Sequence, residues 1–141
     1  MASVATAADA ATQLQWQAAL AAGNTLLVAL PTAAREQAEG VFVYWQRAGA
    51  LPAGAVQVID APFDEAVAAI AADDRVQGVI ADAGFAAVLR QRLAARRGAI
   101  VPLLVGDLGT TLWRLAGEQT LTVNTAAAGG NAALLAGVSP A

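Results

Sequence analysis

The stretch TLLVALPT, residues 25–32, decides the fold that this sequence predicts. Its apolar run, 25–30, is typical of a strand buried on both faces of a parallel sheet. Pro31 and Thr32 then open a helix, which apolar side chains at helical spacing extend to about Ala48. A buried strand that passes directly into an amphipathic helix is the repeating unit of an α/β protein.

The same unit repeats along the chain. Residues 7–22 predict an alanine-rich helix that ends at Gly23, a residue suited to the left-handed cap of a helix. A third helix begins at Pro62, and a fourth ends at Gly98. Further strands are predicted at 55–59, 76–81 and 99–105. This alternation predicts an α/β fold with a Rossmann-like open, mainly parallel sheet, right-handed crossovers and helices on both faces.

The spacing of apolar residues also predicts which side of each helix is buried. The first helix would bury Leu14, Ala18 and Ala21 with Trp16 and Leu20 beside them, and the second Ala38, Val41, Phe42, Trp45 and Ala48. The third would bury Phe63, Val67 and Ile70, and the fourth Phe85, Val88, Leu89 and Leu93.

Both ends of the sequence depart from this alternation of strands and helices. Only residues 3–5 precede the first helix in an extended form. The sequence therefore does not decide whether the sheet has its first strand or lacks it, as in a piece cut from a longer protein. Towards the other end it predicts one short helix at 110–115 and a last short strand at 121–124, at an edge of the sheet. Alanine and glycine predominate from Ala126 onward.

The composition limits the function. Hydrophobic residues make up 57% of the 141 residues but aromatic residues only 5%, which predicts a core of small side chains. No apolar run approaches the roughly 18 residues of a membrane-spanning helix, and the N-terminus lacks a signal peptide, so we expect a cytoplasmic protein. The net charge is −3, with eight basic and eleven acidic residues. Nucleic acid is therefore not an expected partner.

Three residue types are missing, because the chain has no Cys, no His and no Lys. Their absence excludes thiol nucleophiles, Cys/His metal sites, Schiff-base chemistry, phosphate-binding lysines and the usual Ser-His relay. We therefore expect no catalytic residue, no metal site and no cofactor site in this chain.

The carboxyl ends of the predicted strands are where ligands bind in open α/β sheets. The residues there are Pro31-Thr32, Asp60-Ala61-Pro62, Asp82-Ala83-Gly84 and Gly106-Asp107-Leu108-Gly109. Asp60, Asp82 and Asp107 could converge as a metal or phosphoacceptor cluster, but that chemistry usually needs a lysine. The favoured role of Asp60 and Asp82 is to cap the helices that follow them. No G-x-G-x-x-G turn follows a predicted strand, which argues against dinucleotide binding.

Basic and aromatic side chains give two weaker signals. The basic cluster consists of Arg90, Arg92, Arg96 and Arg97. On one helix the first and last of these share one face and the middle two another, so their favoured role is to complement the helix dipole and solvate the surface. The tryptophans, interpreted as core or interface anchors, are Trp16, Trp45 and Trp113.

Three stretches resemble the cofactor-binding half of aldehyde dehydrogenases in order and spacing. They are AAGNTLLVALPTA (21–33), AGALPAGAVQVI (48–59) and DDRVQGVIADAG (73–84). Where that family has the lysine that holds the adenosine ribose, this chain has Leu30, and only Gly84 remains of the glycine-rich cofactor loop. VPLLVGD (101–107) resembles the strand end that carries the family's general base, but Leu104 stands at that position. The resemblance implies an aldehyde dehydrogenase scaffold without cofactor contact, base or thiol nucleophile.

The end of the chain narrows this resemblance. LTVNTAAAGGNAALLAGV (121–138) resembles the C-terminal motif of proline utilization A, a family of bifunctional flavoenzymes that oxidise proline to glutamate. Its longer members carry an aldehyde dehydrogenase-like C-terminal domain after their proline dehydrogenase and L-glutamate γ-semialdehyde dehydrogenase modules. The resemblance implies a single domain, with a degenerate cofactor-binding fold at 1–120 and an edge strand with a docking motif at 121–141. The implied docking residues are Leu121, Val123, Asn124, Thr125, Gly129, Gly130 and Asn131.

By the same resemblance, this chain is a non-catalytic module. It would act as a lid on the aldehyde dehydrogenase module and on the tunnel that carries the intermediate, and the two parent modules, which use FAD and NAD, would be its partners. The alternative is an independent Rossmann-like domain with weak NAD binding. Gly129-Gly130 is interpreted as a turn and not as an anion site, because no cation lies beside it in sequence. The sequence leaves open whether the chain forms a homo-oligomer.

Overall fold

The computed structural model describes residues 1–106 and 112–115 of the chain. Its strands are β1 (Ala2–Val4), β2 (Leu26–Ala29), β3 (Val56–Val58), β4 (Val79–Ala81) and β5 (Leu103–Val105). They form one sheet in the order β3-β2-β1-β4-β5, and each neighbouring pair is parallel. The predicted α/β fold, with its Rossmann-like open parallel sheet, is confirmed.

Local sequence explains where the helices start and end. They are α1 (Ala10–Ala21), α2 (Thr32–Arg47), α3 (Phe63–Ala72) and α4 (Ala86–Ala94), with 3₁₀ turns at Ala83–Phe85 and Leu112–Leu115. The Asp9 carboxylate accepts a hydrogen bond from the backbone N–H of Thr12 at 2.9 Å and so caps the start of α1. Gly23, with a φ of 86°, stops the same helix in a conformation that few other residues adopt. Pro31 and Pro62 stand directly before α2 and α3.

The first strand, which the sequence did not clearly predict, is present as β1 and lies at the centre of the sheet. Val4 of β1 lies beside Ala29 of β2 on one side and beside Ala81 of β4 on the other. The short segment before α1 therefore joins the two halves of the sheet.

Helices cover both faces of the sheet, and a separate core lies beneath each pair. The core beneath α1 and α2 contains the buried side chains of Trp16, Val28, Phe42, Ile80 and Leu104. The core beneath α3 and α4 contains those of Val4, Ala29, Ile70, Val79 and Leu89. Adjacent residues of one strand belong to different cores, because successive side chains point to opposite faces. Strands buried on both faces explain the apolar runs in the sequence.

The predicted helix faces are partly wrong. Leu14 of α1 is 54% exposed, and the buried residues of that helix are Thr12, Trp16 and Ala19. Alanine gives little contrast along α1, so Trp16 sets its rotation: its ring centroid lies 4.9 Å from that of Phe42 and its indole N–H donates to Ser3 Oγ at 2.9 Å.

The other three helices are closer to the prediction. Their buried residues include the predicted Ala38, Phe42, Val67, Ile70 and Leu89. The predicted burial of Val88 is wrong, since this residue of α4 is 47% exposed. Ala48 is also exposed, because α2 ends at the residue before it.

The C-terminal predictions have a mixed outcome. The 3₁₀ turn Leu112–Leu115 lies within the helix predicted at 110–115. The strand predicted at 121–124 and the rest of the segment 121–141 lie outside the described residues. Within the described ranges, none of the helices is long and apolar enough to cross a membrane.

A charged turn after α3 gives a pH-dependent contribution to stability. The Arg75 guanidinium donates to both oxygens of Asp73, at 3.0 and 2.7 Å, and the backbone N–H of Arg75 also donates to that carboxylate. These hydrogen bonds lower the pKa of Asp73 from 3.8 to about 2. Because the folded pKa is depressed, the stabilisation is complete above pH 3.8 and is lost as the pH falls through about 2.

We expect Asp73→Asn to unfold at lower urea concentration than the original chain at neutral pH. The difference in unfolding free energy should shrink as the pH falls from about 4 to about 2, where the original carboxylate becomes protonated. Urea denaturation of both proteins across this range checks the prediction. A difference that stays constant across the range would contradict it. Asp74→Asn is the matched control at neutral pH, because Asp74 is exposed and only approaches Arg96, at 3.5 Å; its effect should be small.

Candidate functional site

The loops after β1 and β4 form the candidate site. The loop after β1 leads to α1 on one face of the sheet, and the loop after β4 leads to α4 on the other face. Between two such loops an open α/β sheet has a crevice at its carboxyl edge, where ligands bind. The prediction that Asp82 lies at this edge is confirmed, since it directly follows β4.

Asp82 is bound to the opposite loop of this crevice. Its Oδ2 accepts hydrogen bonds from both the backbone N–H and the hydroxyl of Thr6, each at 2.8 Å. The Asp82 backbone N–H donates in turn to the carbonyl of Val4 at 3.1 Å. We call this set of contacts the Thr6–Asp82 clamp. It joins the two loops that a ligand would have to enter between.

A second carboxylate occupies the start of α1. A helix N-terminus attracts anions through its free N–H groups and its dipole, and Rossmann proteins place a cofactor pyrophosphate there. Here Asp9 takes that position, and the hydrogen bond from the Thr12 backbone N–H holds the pKa of Asp9 below its usual range. An ionised carboxylate at this point repels a phosphate and uses one of the N–H groups that would bind it.

The carboxyl ends of β2 and β3 are joined by an arginine that the sequence did not single out. Arg35 donates from Nε to the Leu30 carbonyl at 3.2 Å and from Nη1 to the Asp60 carboxylate at 2.9 Å. It also donates from Nη2 to the Ala61 carbonyl. Arg35 thus binds two strand ends of its own chain, and Leu30, at the position that corresponds by resemblance to the ribose-binding lysine, is fully buried.

The predicted capping roles of Asp60 and Asp82 are wrong. In the described part of the chain, neither Pro62 before α3 nor Asp82 before the Ala83–Phe85 turn provides a side-chain capping hydrogen bond. Asp60 pairs with Arg35 instead, and Asp82 with Thr6. Both carboxylates therefore accept hydrogen bonds from residues that are distant in sequence, and not from the helix starts nearby.

A converging aspartate cluster is not found where the structure describes the chain. Among residues 1–106 and 112–115, no group of three or more His, Cys, Asp or Glu side chains could hold a metal ion. Asp107 and Gly109 lie outside the described residues.

The basic cluster does not form two helix faces, because α4 ends at Ala94. Arg96, beyond the helix, turns back towards the loop before β4. It donates to the Asp73 carbonyl at 3.1 Å and to the Val76 carbonyl at 3.4 Å. Its side chain is mostly buried, so Arg96 holds this loop in place.

The tryptophans differ in their surroundings. Trp16 is buried in the core, and Trp45 is half-buried with its ring centroid 5.6 Å from that of Phe42. Trp113 is 75% exposed, and its ring lies 5.8 Å from the Arg114 guanidinium carbon.

Gly84 is the remaining glycine of the loop that resembles the cofactor loop. A Cβ added at Gly84 would meet no atom within 4 Å, and its φ is not positive. Neither packing nor backbone conformation therefore requires glycine here.

We expect Gly84→Ala to leave the protein folded and to stabilise it by about 0.4–1 kcal/mol, because alanine has less conformational freedom in the unfolded chain. Urea denaturation measures the change. Gly54→Ala is the matched control, since Gly54 has a φ of 78° and alanine should destabilise the protein there. A loss of stability in Gly84→Ala would contradict this description of the loop.

The implied docking residues lie outside the described residues: Leu121, Val123, Asn124, Thr125, Gly129, Gly130 and Asn131. The functional residues that sequence reasoning missed are Thr6, Asp9 and Arg35. Asp9 followed by Thr12 before an alanine-rich run is a helix-start pattern that could have been found. The partners of Thr6 and Arg35 depend on the folded chain.

The strand order and the crevice define a class of protein, an α/β protein with a Rossmann-like open parallel sheet. Comparisons with known proteins do not assign the chain to a family within this class. No protein-family model, no curated protein and no solved structure was found to match it.

Proposed function

We propose that this chain is a non-catalytic C-terminal module of a bifunctional proline catabolic enzyme that converts proline to glutamate. It covers the aldehyde dehydrogenase module of that enzyme and the tunnel that carries the semialdehyde intermediate. Its partners are the proline dehydrogenase and aldehyde dehydrogenase modules, and the bound FAD and NAD belong to those modules. The basis for this partner is the resemblance of residues 121–138 to the terminal motif of proline utilization A.

The observation that carries the proposal is the state of the carboxyl-edge crevice. The Thr6–Asp82 clamp bridges it, and Asp9 takes the helix N-terminus that would otherwise meet a phosphate. A sheet of the cofactor-binding type whose crevice is bridged by one carboxylate, and whose helix N-terminus is capped by another, fits a scaffold that was retained for its shape. This supports a structural role over an independent enzyme.

Truncation of the longer enzyme tests the lid. We expect removal of the segment from Leu121 onward to leave proline dehydrogenation nearly unchanged while semialdehyde escapes into solution and coupled formation of glutamate falls. The escaped aldehyde can be trapped with an aromatic amine and measured against glutamate formed. The matched control is Leu14→Ala, an exposed position on α1. Unchanged coupled conversion after truncation would refute the lid.

The alternative, an independent domain with weak NAD binding, is favoured by one observation, the crevice at the switch between β1 and β4. Titration of the full chain with NAD, followed by calorimetry or NMR, distinguishes the two functions. Absent or millimolar binding supports the structural module, and micromolar binding refutes it. Asp82→Asn is informative in the same titration, because loss of this charge should strengthen binding if NAD enters the crevice.

A further inference from the structure

An apolar groove lies at the opposite edge of the sheet from the crevice. It runs between the C-terminal ends of α1 and α2 and the loop that leads into β3, and its volume is about 610 Å³. Its lining includes Leu20, Asn24, Trp45, Leu51, Pro52 and Ala53. We call it the amino-edge groove, because these loops precede the amino ends of β2 and β3. None of the described residues that line it is charged, so its occupant should be uncharged and largely apolar.

The end of the described chain is attached to the wall of this groove. Leu115 is buried in the core beneath α1 and α2. Its carbonyl accepts a hydrogen bond from Asn24 Nδ2 at 2.8 Å, and the same nitrogen donates to the Ala19 carbonyl at 3.0 Å. Asn24 also lines the amino-edge groove. Leu115, the last described residue, therefore lies beside the groove.

The sequence that follows has the composition that the groove requires. No side chain from Gln119 to Ala141 is charged, and its apolar residues include Leu121, Val123, Leu134, Leu135 and Val138. Burial of such side chains against an apolar surface is favourable. An extended chain covers about 3.3–3.6 Å per residue, so Leu121 lies within about 22 Å of Leu115. Attachment to the same chain raises the effective concentration of the segment to about millimolar.

The sheet offers a second contact beside the groove. β3 is an edge strand, and in the part of the chain that the structure describes its outer side has no partner strand. The groove residue Ala53 lies three positions before Val56, where β3 begins. Backbone groups of an open edge favour the addition of an extended segment.

We propose that the amino-edge groove binds the uncharged segment 119–141 of its own chain. The segment places its leucine and valine side chains against Trp45 and Leu51 and shields them from water. This inference does not rest on the proposed function, because it concerns the chain alone. In the longer enzyme, a partner module would have to compete with the groove for the same segment.

The absence of cysteine from the chain makes a direct test simple. A nitroxide spin label attached through Ala53→Cys, at the rim of the groove, should broaden the amide NMR signals of residues 121–138 strongly. The matched control is a label attached through Arg90→Cys on α4, which covers the other face of the sheet. We expect little broadening from the control and no change in either result on dilution. Equal broadening from both labels would refute the proposal, and broadening that fades on dilution would assign the groove to a second copy instead.

Protection from proteolysis gives a second measurement. Trp45→Ala removes the half-buried ring of the groove, and Tyr44→Ala removes an exposed ring next to it in sequence. A protease that cleaves after alanine should cut the segment 119–141 roughly tenfold faster in Trp45→Ala than in the original chain, because release of the segment becomes more frequent. The Tyr44→Ala rate should be unchanged. The cleavage rates are measured only while residues 1–115 stay intact, so that unfolding of the whole protein does not contribute. Equal cleavage rates in the two variants would refute the proposal.

Discussion

Replacement of Trp16 by alanine is expected to lower the unfolding free energy by about 3–5 kcal/mol. The side chain is 0% exposed, and it is the largest fully buried side chain in the described part of the molecule. Its ring packs on Phe42, and its indole N–H donates to Ser3 Oγ at 2.9 Å, so one residue joins α1 to α2 and to the central strand. Small side chains around it cannot move far enough to fill the space it leaves. Urea denaturation measures the loss.

Two further variants separate packing from hydrogen bonding at this position. Ser3→Ala leaves the buried indole N–H without its acceptor and should cost about 1–3 kcal/mol. Trp113→Ala, at the exposed tryptophan, should change stability by about 0.5 kcal/mol or less. Similar losses from Trp16→Ala and Trp113→Ala would contradict the packing described for the core.

Replacement of Leu104 by glutamate is expected to lower the unfolding free energy by as much as replacement of Trp16 by alanine. By resemblance this position corresponds to the general base of aldehyde dehydrogenases, yet Leu104 is 1% exposed and belongs to the core beneath α1 and α2. A charge buried there without a partner should lower the unfolding free energy by about 3–5 kcal/mol at neutral pH.

The pH dependence of the unfolding free energy of Leu104→Glu shows whether the buried charge causes the loss. Burial raises the pKa of the new carboxyl in the folded state above its unfolded value of about 4.3. The folded protein then binds the proton more tightly than the unfolded chain, so the penalty is greatest at neutral pH and shrinks as the pH falls towards 4.3. Urea denaturation at several pH values should show this trend.

Leu104→Met is the matched control for the carboxylate. It keeps the volume of the side chain without a charge and should cost less than about 1.5 kcal/mol at any of these pH values. A Leu104→Glu variant as stable as Leu104→Met at neutral pH would mean that position 104 reaches water.

The fold was predictable from sequence because its signals are local. Buried strands such as 25–30 are apolar runs, and Pro31, Pro62 and Gly23 mark helix limits through their own backbone restrictions. The rotation of α1 was not predictable, since an alanine-rich helix has little contrast between its faces. Only the Trp16 contacts, made across the folded core, decide it.

The candidate site was predictable in location but not in its contacts. Asp82 follows a strand, so its place at the carboxyl edge comes from the strand pattern. Its partner Thr6 is 76 positions away in sequence, and no local pattern links the two. The same holds for Arg35 and Asp60, which meet because parallel neighbours bring their strand ends together.

The central position of β1 also determines the order in which the sheet grows during synthesis. β1 emerges first, and β2 and β3 can add to one side of it as soon as they follow. The other side of β1 has no neighbour until β4 emerges at Val79. Until then the face that carries Val4 and Ala29 can be covered by α3 but still lacks α4, and an open strand edge lies beside it. This half-built sheet is the stage of synthesis most exposed to wrong pairing with other chains.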